Sequence, residues 1–70
     1  MSNEFENTEF RKAARAAGVS GRYQGGDEAI RVCSRDFHER ISRREREDMS
    51  YGEMVSWAQD WWQENSHRCN

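Results

Sequence analysis

SYGEMVSWAQDWWQENS, residues 50–66, settles what kind of chain this is. Tyr51, Met54, Val55, Ala58, Trp61 and Trp62 recur at the spacing of one helical face, while Ser56, Gln59, Asp60 and Gln63 take the other. Trp57 stands at the margin of the apolar arc. Ser50 and Glu53 have the spacing of a capping box, in which hydroxyl and carboxylate each satisfy a backbone N–H of the first turn. The stretch predicts an amphipathic helix over 50–66 that carries acids and no base.

Just upstream, RREREDM (43–49) has no apolar position except its last. It reads as the end of a helix over 27–48 that begins near the cap-type residue Asp27 and buries Ile30, Cys33, Phe37 and Ile41. One turn further the stripe meets Arg44 and then Asp48, so the second half has no apolar face. Acid-before-base pairs four residues apart, Asp27–Arg31, Asp36–Arg40 and Glu39–Arg43, offer about 0.2–0.5 kcal/mol each in its place. Met49–Ser50 is then a helix–helix corner.

Further upstream, GVSGRYQGG (18–26) holds four glycines in nine residues, each costing about 1 kcal/mol in a helix, and is a loop with Val19 and Tyr23 as its anchors. Phe10, Ala13, Ala14 and Ala17 mark a first helix over about 4–17, which starts at Asn3 with Glu6 or at Asn7 or Thr8 and ends at Gly18. Residues 67–70 read as a flexible tail. The expectation is one small all-α domain, residues 1–70, of three helices with a Gly-rich loop between the first and second. Helices one and three should pack on the apolar half of helix two.

Composition bounds what such a domain does. At 70 residues and 34% hydrophobic content the core is thin, and a domain of this size seldom gains more than roughly 3–5 kcal/mol from a single core. The net charge of −2 conceals a segregation: residues 1–10 carry −3, 11–46 carry +5 and 47–66 carry −5. Ten of the eleven bases are Arg, suited to bidentate pairing with carboxylate or phosphate. There is no signal-like apolar segment and no run long enough to span a bilayer, so the expected place is the cytoplasm, with both cysteines reduced.

Chemistry is hard to build from these residues. Cys33, His38, His67 and Cys69 are metal-ligand types, but Cys33 and His38 are five apart and diverge by about 140° on a helix. No Cys–His pair has an evident orienting group, and the glycine loop lacks the Gly-Lys-Ser/Thr ending of a phosphate-binding loop. AARAAGVSG (13–21) resembles the first helix and turn of a helix-turn-helix motif, yet RYQGGDE follows where a recognition helix would stand. The expectation is no enzyme, no cofactor and no metal.

Binding remains. Three tryptophans in six residues suit interface anchors, which favour Trp. The expected function is a protein-binding module, an adaptor or inhibitor docking on a larger protein or ribonucleoprotein complex. Trp57, Trp61, Trp62, Asp60, Glu64, Arg43 and Arg44 are the contact candidates. Trp57 is expected to be the most exposed of the three tryptophans, and Trp61 is equally readable as core. A homodimer would supplement the thin core. Small, charged, Trp-rich chains of this kind resemble in style the accessory proteins of phages and mobile elements, including inhibitors of bacterial defence complexes. The alternative is a nucleic-acid-binding accessory protein that uses Arg31, Arg35, Arg40, Arg43, Arg44 and Arg46, although the interleaved acids favour internal pairing of those arginines.

Overall fold

A computed structural model of the chain describes residues 8–69. Within them lie four α-helices: α1 (Thr8–Ala16), α2 (Ala29–Arg40), α3 (Arg43–Asp48) and α4 (Tyr51–Asn65), followed by a 3-10 turn at Ser66–Arg68. The described residues form no strand, only isolated bridges between Arg22 and Glu28 and between Tyr23 and Cys69. The domain is all-α, as expected. None of these helices is long and apolar enough to cross a membrane.

The capping box at the start of α4 is complete. Ser50 Oγ accepts from Glu53 N at 3.2 Å, and Glu53 Oε1 accepts from Ser50 N at 3.0 Å. Helix α1 ends one residue earlier than expected, within ordinary end fraying. Gly18, at φ +102°, then reverses the chain. Val19 N donates to Ala14 O at 3.0 Å and Gly18 N to Arg15 O at 3.0 Å, the two bonds of a Schellman cap. The proposed start at residue 4 lies outside the described residues.

The expected helix over 27–48 is instead two helices, which makes four in place of three. It starts later, at Ala29 with Glu28 as its N-cap, and it breaks at Ile41–Ser42, where the backbone is extended. The break is chemically complete. Ser42 Oγ accepts from Glu45 N at 3.3 Å and opens α3. Arg46 reaches back so that its Nη1 donates to His38 O at 3.0 Å and to Ile41 O, satisfying carbonyls that end α2. Ser42–Glu45 is a second Ser-x-x-Glu step, and beyond Ile41 no apolar face remained to hold one straight helix against the core. The acid-before-base pairs do not bridge the break. The ion pair formed there is Arg43–Glu47, 3.5 Å, base before acid.

The helix at the centre of the packing is α1, not the expected second helix. It makes the largest contact with α4 and a smaller one with α2. Its alanines explain why: Ala13 and Ala14, both fully buried, let the helix axes approach. Helices α2 and α4 meet largely through long side chains. Phe10 of α1 stacks on Phe37 of α2 at 4.0 Å between ring centroids, and Trp57 of α4 presents edge contacts to both, at 5.9 and 5.2 Å. Val19 is buried in the core, and Tyr23 is half-buried beside Trp61.

As far as Cys69 the C-terminal end folds back against the loop between α1 and α2. Arg68 O accepts from Gln24 N at 3.0 Å, and Arg68 Nη1 donates to the Tyr23 hydroxyl at 3.3 Å. These contacts join residues more than forty apart, so local pattern held no sign of them.

Candidate functional site

The tryptophans have three different environments. Trp61 is 2% exposed, and its Nε1 donates to Asp36 Oδ2 at 2.8 Å. It is a core residue with a satisfied indole N–H, which removes it from any binding surface. Asp36 therefore serves Trp61 rather than the expected partner Arg40. Trp62 is half-buried, its indole lying alongside Gly18. Trp57 is half-buried too, one side held by Phe10 and Phe37 and the other reaching solvent. That agrees with its place at the margin of the apolar arc, and the close-packed phenylalanine pair is its seat. Among the described residues Tyr51, at 45%, is the one large hydrophobic left exposed.

What α4 does present is charge. Glu53, Asp60 and Glu64 are exposed. With Trp57 they follow the spacing i, i+4, i+7, i+11, which at about 100° per residue lines one side of the helix. The result is an acidic stripe with an aromatic edge set within it. The helix carries no base to neutralise it. Hydrogen bonds from the Ser50 backbone N–H, and then its side chain, hold the Glu53 carboxyl below the usual carboxylate range. Glu53 was read as a cap and not as a surface residue, although the spacing that joins it to Asp60 and Glu64 was visible in the sequence.

The arginines do not form one face. Arg31 and Arg35 are exposed one turn apart on α2, and Arg40 is exposed at its end. Arg43 and Arg44 lie beyond the break on α3, a six-residue helix with no buried residue. Arg43 is paired with Glu47, and Arg46 is half-buried against the α2 carbonyls. The candidate nucleic-acid residues are thus split between two helices, and Arg46 performs a capping task.

No group of three or more His, Cys, Asp or Glu among the described residues is placed to hold a metal. Cys33 is buried, and burial, with lesser effects from Asp36 and Cys69, pushes its thiol up to about 12. His38 donates from Nδ1 to Ser34 O at 2.9 Å. An open groove of about 490 Å³ lies between the end of α1 and the start of α2, lined by Arg15, Val19, Ser20, Glu28 and Ile30 among others. Its lining contains no His, Cys or Lys.

No protein-family model matches this chain, and no curated protein and no solved structure matches it.

Proposed function

We propose that this chain is a non-enzymatic protein-binding module, an adaptor or inhibitor whose contact surface is the acidic side of α4. The observation that carries this reading is the stripe itself: Glu53, Asp60 and Glu64 exposed along one side of the best-anchored helix, with the edge of Trp57 among them. A rigid helix fixes the spacing of these charges. A partner with complementary lysines or arginines gains both orientation and association rate from them. Trp57 adds a flat apolar edge that is already immobilised by Phe10 and Phe37, so little side-chain entropy is lost when it is covered.

The partner class follows from the charge. Acids at regular helical spacing suit a basic surface of the kind that nucleic-acid-binding proteins and ribonucleoproteins present to phosphate. Occupying it would exclude the nucleic acid, which is how an adaptor of this size can inhibit a much larger complex. An inhibitor of a bacterial defence complex, carried by a phage or mobile element, is the form of this role that the sequence style suggests. Arg43 and Arg44 on α3 supply secondary contacts to acidic groups at the rim.

Affinity capture from host lysate, with and without nuclease, tests the reading. A defined basic protein retained after nuclease is the expected result. Capture that vanishes with nuclease, and persists when Asp60 and Glu64 are changed to Lys, would overturn it and leave the exposed Arg31–Arg35 pair as the binding site.

A further inference from the structure

The two cysteines occupy one corner of the fold. Helices α2 and α4 run antiparallel where their side chains meet: Phe37 contacts Trp57 at 5.2 Å, and Asp36, one residue earlier, bonds Trp61 one turn later. Extending that register by a turn sets Cys33 toward Asn65. The Asn65 carbonyl is the acceptor for Cys69 Sγ, at 3.5 Å. From the other side, the Tyr23–Cys69 bridge and the bond from Gln24 N to Arg68 O hold the last turn against the loop that leads into α2. Both residues belong to the same apolar cluster, Cys33 within it and Cys69 packed against it. Cys69 is also among the lesser groups that raise the Cys33 thiol.

We propose that Cys33 and Cys69 are an oxidation site, which a small-molecule disulfide converts into an intramolecular disulfide that ties the C-terminal turn to α2. Exposure sets the order of events. Cys69 is half-buried and Cys33 is fully buried, so the Cys69 thiolate attacks first. With oxidised glutathione it displaces one glutathione thiolate and forms a mixed disulfide. Cys33 then loses its proton and attacks the Cys69 sulfur, releasing the second glutathione. The two protein thiols lose two electrons and two protons, and glutathione disulfide gains them as two thiols. Burial raises both thiols, so little thiolate exists at neutral pH and closure is slow. The movement needed falls on the 3-10 turn, because Cys33 is fixed in the core.

The test is to incubate the full chain under native conditions with oxidised glutathione until its intact mass stops changing, then map the peptides without reduction. The expected product is a monomer lighter by two hydrogens, with a peptide linking Cys33 to Cys69. Its melting temperature should rise on the order of 10 °C and return to its starting value on reduction, as a cross-link closing a long loop predicts. In Cys69→Ser, Cys33 should stay unmodified. A stable glutathione adduct on Cys69 alone, or a dimer linked through Cys69, would overturn the proposal.

Discussion

At the residue scale the fold rests on a few large side chains. Trp57, Phe10 and Phe37 form one aromatic group, and truncating Trp57 or Phe37 to Ala should cost about 3–5 kcal/mol. A domain of this size has roughly that much in total, so far-UV circular dichroism of either variant at 25 °C should show a largely unfolded chain. It follows that loss of binding in Trp57→Ala would report folding, not contact. The Asp36–Trp61 bond makes a second prediction. Asp36→Ala strands a buried indole N–H and should cost about 1–3 kcal/mol in urea melts, whereas Asp36→Asn, which keeps an oxygen acceptor, should cost less. Glu53 makes a third. Its folded pKa lies below its unfolded value, so its contribution is present above the ordinary carboxylate range and is lost as pH falls through the folded value. Glu53→Gln should therefore melt below the parent chain at pH 7, and the gap should close as the solution is made acid.

At the element scale the same motif occurs twice with different consequences. Ser50 caps α4, which buries Met54, Ala58, Trp61 and Asn65; Ser42 caps α3, which buries nothing. Ser50→Ala should cost about 1 kcal/mol of global stability and lower the melting temperature. Ser42→Ala should lose a similar amount only locally: α3 amides exchange faster with solvent, and the melting temperature stays nearly constant. The two steps were equally legible as Ser-x-x-Glu. The one at 50–53 was read correctly because an apolar helix followed it. At 42–45 the flanking acid–base spacing argues instead for continuation of one helix. Those pairs are each worth a few tenths of a kcal/mol, less than a cap together with the Arg46 contact to the carbonyls of α2.

At the scale of the whole molecule, local periodicity was enough for the helical class, the loop at the four glycines and most of the core positions. Contacts between distant residues were not legible. That α1 is the central helix follows from the close approach its alanines allow, which the small area an alanine buries understates. The ordering of Arg68 against Tyr23 depends on how the helices fold back on one another. The candidate surface was half legible: Asp60 and Glu64 stood out as acids on a polar face, while the tryptophans drew attention that belongs to the core. Folding sorts the segregated charge, setting acids along α4 and leaving Arg31 and Arg35 exposed on α2.

The most direct test is to compare partner binding by three chains: the parent, Asp60→Lys with Glu64→Lys, and Arg31→Glu with Arg35→Glu. All four positions are exposed, so each chain should keep its fold by circular dichroism. With the acidic stripe of α4 as the contact surface, reversing the two acids weakens binding at least tenfold and reversing the two arginines changes it little. Binding that survives the acid reversal and is lost with the arginine reversal would contradict that assignment.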